Sequence, residues 1–252
     1  MEADLSGKVA VVTGSSKGIG RAIAVRLAEN GASVVVNART PGPALELVEQ
    51  LRAMGREACF DPADLHVYQD VKRLFDDAVE RFGHVDIAVA TGAAAGPPPQ
   101  PFHQIDPGSY ADCMASHLFT RLHVVRAAMD HMMVRQSGKI IMVTTDAGRS
   151  PTRGESLIGG AAAALVLMTK ALAMELARYK VRINTICTTV TRDTPGYDKA
   201  TSEVGTRMAD IFKKAEERMP FGINRPDDLA QMALFLASDD SNQITGQTFS
   251  IT

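Results

Sequence analysis

The pattern that most restricts the fold of this chain lies near its N-terminus. An apolar run at Val9–Val12 leads into T-G-S-S-K-G-I-G at residues 13–20, and apolar residues with helical spacing follow directly. Glycine suits such a turn because it adopts backbone angles closed to other residues and lets a phosphate approach bare N–H groups. The N-terminus of the following helix also favours an anion. The pattern predicts a strand, turn and helix that bind a nucleotide phosphate; a purely structural turn is the alternative.

Length and charge narrow the choice of partner. A chain of 252 residues with a formal net charge of −2 has the size of one large α/β domain. This charge gives no electrostatic footprint for nucleic acid or an anionic membrane surface, so a small-molecule substrate is expected. The polar first residues lack the apolar core of a signal peptide, and no later run is expected to reach the length of a membrane span. We therefore expect a cytoplasmic protein.

The cysteines give no sign of a metal or disulfide site. Cys59, Cys113 and Cys187 are far apart and form no C-x-x-C pair. Neither a disulfide framework nor a zinc site is predicted, which suits a reducing cytosol.

The rest of the chain alternates short apolar runs with segments of helical spacing. The predicted strands cover residues 9–12, 33–37, 58–60, 85–90, 139–144, 182–186 and 247–251. Among the predicted helices, the one over residues 107–135 has a break near Asp112. The alternation predicts a single domain over residues 1–252: a Rossmann-type, doubly wound parallel sheet of about seven strands, with helices on both faces. Ligands are expected at the carboxyl ends of the strands.

Two segments have special composition. Residues 188–221 are polar and irregular, with the length of a substrate lid. Residues 159–164 read G-G-A-A-A-A within a predicted helix. Such a face lets another element approach its backbone closely, which favours a symmetric homodimer or homotetramer.

Several motifs together resemble the short-chain dehydrogenase/reductase family over nearly the whole chain. T-G-S-S-K-G-I-G is similar to its cofactor motif, and F-G-H-V-D at residues 82–86 to the segment before its fourth strand. V-R-I-N-T-I at residues 181–186 and R-P-D-D-L-A at residues 225–230 resemble its later segments. The resemblance implies a dinucleotide-binding oxidoreductase. The cofactor-binding residues that it implies are Gly14, Ser15, Ser16, Lys17, Gly18, Ile19, Gly20, Arg39, Asp64, Leu65 and Gly92.

The resemblance also bears on which dinucleotide is bound. In the family, an acidic residue after the second strand favours NAD and a basic one accepts the additional phosphate of NADP. Arg39 lies in this region and Lys17 in the glycine turn, and a guanidinium with an ammonium suits a phosphate. NADP(H) is therefore implied, unless both side chains are merely solvated. Asp64 and Leu65 resemble the family residues beside the adenine.

The family's catalytic residues are not matched. Typical members have a serine, a tyrosine thirteen residues later, a lysine four residues beyond it, and an asparagine on the preceding helix. Counted along K-I-I-M-V-T-T-D-A-G, these positions hold Thr145, Ile158, Ala162 and His117. The family's N-N-A-G and P-G motifs also differ, reading A-T-G-A at residues 90–93 and T-T at residues 188–189.

Other side chains would have to replace the missing proton donor. Thr145 can still hydrogen-bond a substrate oxygen. His117 is the predicted donor because imidazole titrates near neutral pH, although a histidine satisfied on a helix face is equally consistent. Asp146 follows Thr145 at a strand's carboxyl end and is the next candidate, with an exposed loop carboxylate as its alternative. The remaining candidates are Arg149, Arg153, Glu155 and Cys187.

Three functions stay open from the sequence. The favoured one is an NADP-dependent oxidoreductase of short-chain type, with a substituted proton donor, acting on a small carbonyl, enone or acyl-CoA type substrate. The second is a non-redox enzyme on the same scaffold, such as an isomerase, a hydratase or dehydratase, or a cyclase. The third is a catalytically inactive nucleotide-binding paralogue.

Overall fold

A parallel sheet of seven strands forms the centre of the fold. The computed structural model describes residues 3–92, 97–202, 216, 217 and 219–252. The strands are β1 (Val9–Val12), β2 (Ser33–Asn37), β3 (Ala58–Asp61), β4 (Ile87–Ala90), β5 (Gly138–Thr145), β6 (Val181–Thr188) and β7 (Thr248–Ile251). They pair in the order β3-β2-β1-β4-β5-β6-β7, every pair parallel. The predicted Rossmann-type sheet is confirmed.

Helices cover both faces of this sheet. They are α1 (Gly18–Glu29), α2 (Gly42–Ala53), α3 (Tyr68–Phe82), α4 (Tyr110–Met114), α5 (Thr120–Arg135), α6 (Ser156–Leu176), α7 (Pro195–Ser202) and α8 (Pro226–Ala237). One apolar cluster joins the sheet to α1, α2 and α8, and a second joins it to α3, α5 and α6.

Strand β1 shows why the strands read as continuous apolar runs. Ala10 and Val12 belong to the first cluster, whereas Val9 and Val11 belong to the second. Successive side chains of a strand point to opposite faces, and both faces are covered here. All four residues are consequently buried.

The helical region in the middle of the chain differs from the prediction. The break expected near Asp112 is wrong: α4 continues into a π-helical turn at Ala115–Phe119, which continues into α5. No glycine or proline stands within residues 110–135 to end the helix. The irregularity is instead a widened turn, a feature that is frequent at functional sites, and it carries His117.

The predicted lid at residues 188–221 is described only in part. Thr188 still belongs to β6, and α7 forms where an irregular chain was expected. An isolated parallel bridge joins Thr191 to Asn224. Residues 203–215 and 218 of the predicted lid lie outside the described residues.

Helix α6 contradicts one expectation from the sequence. With the short 3-10 turn that follows it, the helix covers the 24 residues Ser156–Tyr179. An 18-residue window within it has a mean hydropathy of 1.8, which fits a membrane span by length and composition. The same criterion is met by helices that pack on a sheet, and α6 contacts both β5 and β6. The expectation that no run reaches this length was wrong.

The glycine turn gives a stability prediction. A Cβ atom on Gly20 would lie 2.5 Å from the carbonyl oxygen of Gly14, whereas one on Gly42 would meet nothing within 4 Å. Both glycines lie in the first turn of a helix. Gly20→Ala should lower the free energy of unfolding by about 1–3 kcal/mol through overpacking. Gly42→Ala should change it by less than about 1 kcal/mol, because the entropic gain of replacing a glycine is offset by the strain of a Cβ in helical backbone before Pro43. Urea unfolding of both variants measures the difference, and equal stabilities would contradict the close packing of the turn.

Candidate active site

The crevice at the carboxyl ends of β1 and β4 is the natural ligand site of this sheet. β1 pairs with β2 on one side and with β4 on the other, so the chain order reverses there. The segments leaving β1 and β4 diverge at such a switch point and leave a gap between them. The predicted glycine turn and Gly92 both follow these strands.

Two glycines bring the segments after β1 and β4 together. Gly14 has φ +59° and Gly92 has φ +87°. A Cβ on Gly14 would lie 2.4 Å from the Cα of Gly92, and one on Gly92 would lie 2.6 Å from the Cα of Gly14. The hydroxyl of Thr13 donates to the carbonyl of Thr91 at 2.8 Å and holds the two segments in place. Backbone therefore packs directly on backbone at the base of the crevice.

The residues of the predicted phosphate loop do not all face the crevice. Ser15 is fully buried, and its hydroxyl donates to the carbonyl of Val12 at 2.6 Å, so this side chain is used inside the turn. Lys17 is exposed, and Ser16, Gly18 and Ile19 are partly exposed. Lys17 is the N-cap of α1 and forms no side-chain cap. The first N–H groups of α1 are thus not capped by the side chain that usually satisfies them.

Asn37 is a positioning residue that the sequence did not reveal. Its amide oxygen accepts from the backbone N–H of Gly14 at 3.3 Å, and its amide nitrogen donates to the carbonyls of Asp61 and Ala63 at 3.2 and 3.3 Å. This side chain ties the glycine turn to the segment after β3. A polar residue ending an apolar strand was the only available signal.

Charged groups cluster at the far end of the crevice, beyond β2 and β3. The Asp64 carboxylate accepts from both the backbone N–H and the imidazole of His66, each at 3.0 Å. These hydrogen bonds lower the pKa of Asp64, with a smaller contribution from the charge of Arg39. Arg39 is exposed and Leu65 is buried. The structure therefore places the predicted Arg39 and Asp64 close to one another.

The other end of the crevice holds the positions expected to carry chemistry. Thr145 ends β5, and its hydroxyl accepts from the N–H of Ala147 at 3.3 Å. Ile158 and Ala162 lie on α6. A Cβ on Gly148 would lie 2.7 Å from the Cβ of Ala162, so α6 packs tightly on the turn that follows β5.

His117 lies in the π-helical turn, close to Arg121. Burial, and then the charge of Arg121, lower the pKa of His117 from 6.5 to about 4. The imidazole is therefore neutral at pH 7, contrary to the expectation that it would titrate near neutral pH. A neutral imidazole can donate one hydrogen bond and accept another, but it is a weak proton donor.

Asp146 is held by a group on β7 and a group in its own turn. It is 9% exposed, the hydroxyl of Ser250 in β7 donates to its carboxylate, and Arg149 lies 4.0 Å away. Arg149 also donates to Ser250. Cys187 is buried beside this group, and burial together with the charge of Asp146 raises its pKa to about 12. Asp146, Arg149 and Ser250 thus form a polar network that ties the turn after β5 to β7.

The two other candidates lie next to the start of α6. Arg153 is exposed. Glu155 is partly buried, burial raises the pKa of its carboxyl, and it lies one helical turn before Ile158. The neighbouring Gly154 accepts at its carbonyl from the N–H of Gln100 at 2.9 Å. Glu155 is therefore a weaker acid than an exposed glutamate and lies beside the segment that follows β4.

Comparison with known proteins identifies the family. The family model described as short chain dehydrogenase matches residues 8–205, and the chain belongs to this family. It is 32% identical to hydroxynaphthalene reductase-like protein Arp2 of Metarhizium majus, over 98% of this chain and 94% of that protein. It is 31% identical to tropinone reductase-like 3 of Erythroxylum coca, over 96% and 90% of the two chains.

A solved structure agrees with the fold. A short-chain type dehydrogenase/reductase from Mycobacterium marinum superposes with a TM-score of 0.86 at 27% identity, covering 98% of this chain and 94% of that one. Enzymes of this family act on small molecules, and its reductases generally use NAD(P)H.

The cysteines provide a direct test of the packing around the site. Cys113 and Cys187 are buried, and Cys59 is partly exposed. Burial raises the pKa of all three thiols, but only Cys59 has accessible surface. A disulfide reagent at pH 8 should therefore label Cys59 much faster than the other two thiols in the native protein, and all three readily in urea. Cys59→Ser should abolish the fast labelling. If Cys187→Ser abolished it instead, the described burial of that strand would be wrong.

Proposed function

We propose that the chain is an NADP-dependent reductase of a small carbonyl, enone or acyl-CoA type substrate, with a non-standard active site. The observation that carries this proposal is the contact between Gly14 and Gly92 at the switch point of the sheet. It leaves bare backbone at the switch point, where doubly wound sheets generally bind their ligands. The relatives named as reductases support an oxidoreductase.

The residues around this contact fit a dinucleotide. The N-terminus of α1 has no side-chain cap, which suits the diphosphate. Arg39 and Lys17 are exposed and suit the additional phosphate of NADP. Asp64 and Leu65 would adjoin the adenine. When bound, the reduced cofactor would supply a hydride.

The polar groups at the chemical end favour substrates that need little acid catalysis. On α6, Ile158 and Ala162 supply neither a phenol nor an amine. The hydroxyl of Thr145 and the neutral imidazole of His117 can hydrogen-bond a substrate oxygen. Reduction of a C=C bond conjugated to a carbonyl leaves a delocalised enolate, which such donors can stabilise, and water can then protonate its α-carbon. An enone is therefore the substrate class that suits these residues best.

Self-association is part of the proposal. Among the small residues at 159–164, Gly159 and Ala162 pack closely on the turn after β5 within this chain. The outward face of α6 exposes two large apolar side chains, Leu167 at 70% and Met174 at 81%, and Gly160 lies in open space. A second copy of this chain would cover the face in a homodimer or homotetramer.

The cofactor preference is testable by binding. Arg39→Gln should raise the Kd for NADPH about tenfold or more, since a hydrogen bond to a charged group is lost. The Kd for NADH should change little. Arg26→Gln, at the opposite end of α1, is the matched control and should change neither value. Tighter binding of NADH than of NADPH by the wild type would contradict the role of Arg39.

The reaction is testable by NADPH oxidation with paired substrates. We expect turnover of conjugated enones and much slower turnover of isolated ketones of the same size. His117→Ala should lower kcat for the enone by about 10²-fold or more, as expected for the loss of an oxyanion donor. Glu155→Gln is the comparison variant. It should lower kcat by a similar factor only if the Glu155 carboxyl donates a proton to the substrate directly. Tight NADPH binding without oxidation by any substrate would instead favour the non-redox alternative.

A further inference from the structure

Arg121 is a charged residue in the interior that the proposed function has not yet used. It lies in the first turn of α5 and is 9% exposed. Burial lowers the pKa of its guanidinium to about 10, so it still carries its proton at neutral pH. Placing a full charge inside a protein is unfavourable unless other groups compensate for it. Packing alone does not explain why a charged residue occupies this position.

The hydrogen bonds of Arg121 locate its charge beside the chemical end of the crevice. One terminal nitrogen donates to the carbonyl of Ser116 at 2.7 Å, and Nε donates to the carbonyl of Val143 at 3.4 Å. Ser116 precedes His117 in the π-helical turn, and Val143 lies two residues before Thr145 in β5. The guanidinium thus spans the two segments that present His117 and Thr145.

Side-chain hydrogen bonds fix the π-helical turn that carries His117. The carbonyl of Ser116 accepts from the hydroxyl of Thr120 at 2.8 Å as well as from Arg121. On the other side of the turn, the hydroxyl of Ser116 pairs with the imidazole of His66 at 3.0 Å. Side chains from three positions therefore fix the turn, and α6 packs against it. These contacts fix the backbone that carries His117 and Arg121.

We propose that Arg121 is the electrostatic positioning residue of this site: its buried guanidinium stabilises the negative charge that develops on a substrate oxygen held by His117 and Thr145. A positive charge in a water-poor interior acts on a nearby anion more strongly than one at the surface. The same field disfavours a second proton on His117. This inference rests on the proposed reductase function and names the substrate class as compounds that become oxyanions or enolates.

A binding experiment tests this inference without turnover. The probe is 4-nitrophenol, titrated into the full-length protein with NADP+ present, because its absorbance distinguishes phenolate from phenol. The wild type should bind the phenolate at least about tenfold more tightly than the phenol. Arg121→Met should remove this preference and Arg121→Lys should largely keep it. Arg126→Met, which removes an exposed arginine of the same helix, should behave as the wild type.

Clear outcomes would overturn the proposal. Equal binding of phenol and phenolate by the wild type would do so, and this measurement needs no variant to fold. An unchanged preference for phenolate in a folded Arg121→Met protein would also overturn it. So would a loss of this preference in Arg121→Lys that is as large as the loss in Arg121→Met. Arg121→Gln replaces Arg121→Met if the latter does not fold.

A second readout separates this inference from the reductase proposal. The ring-proton chemical shifts of His117 report its pKa by NMR, which should rise in Arg121→Gln and stay low in Arg121→Lys. If enones are also turned over, Arg121→Gln should lower kcat by about 10²-fold or more and change KM little. A phenolate preference with no turnover would uphold the role of Arg121 while sinking the reductase proposal. Enone turnover that persists undiminished in Arg121→Gln would uphold the reductase proposal and overturn the role of Arg121.

Discussion

The pairing of β1 with both β2 and β4 is the constraint on which the rest of the molecule depends. Since every strand is parallel, each connection must cross a face of the sheet, and helices provide these crossings. The order reverses at β1, so the segments after β1 and β4 leave toward opposite faces. Where these two segments diverge, Gly14 and Gly92 border the crevice on its two sides. A ligand site at the base of this crevice follows from topology before any side chain is considered.

The chemical end depends on a different device, the widened turn between α4 and α5. A regular helix satisfies its carbonyls internally, whereas the carbonyl of Ser116 accepts from the side chains of Thr120 and Arg121. That arrangement brings a guanidinium next to an imidazole in the interior. Burial disfavours a charged imidazole at this position and the charge of Arg121 disfavours it further, so the pKa of His117 is lowered to about 4. The site is therefore better suited to stabilising an anion than to delivering a proton.

How much the sequence could predict depends on the range of the interactions involved. The sheet was predictable because each buried strand is a local run of apolar residues, and the glycine turn because its backbone angles restrict its composition. The π-helical turn has no such signature, since A-S-H-L-F reads as ordinary helix. The engagement of Asp146 by Ser250 joins residues 104 positions apart in sequence, beyond any local pattern. Arg121 could have been found: four residues after His117 and three before Val124, it falls on the inner face of its helix.

The contact between Gly14 and Gly92 also limits how this site can change over evolution. A larger residue at one position normally becomes tolerable when its neighbour shrinks. Here each Cβ would strike the other residue's Cα, an atom that every amino acid has. No smaller partner exists, so a larger residue at either position requires the two backbone segments to move apart. The family's N-N-A-G motif has alanine where Gly92 stands here, so a chain with that motif needs a wider separation at this point than the present chain does. Substitutions in the walls of the crevice, such as the π-helical turn and the start of α6, need no such movement of its floor.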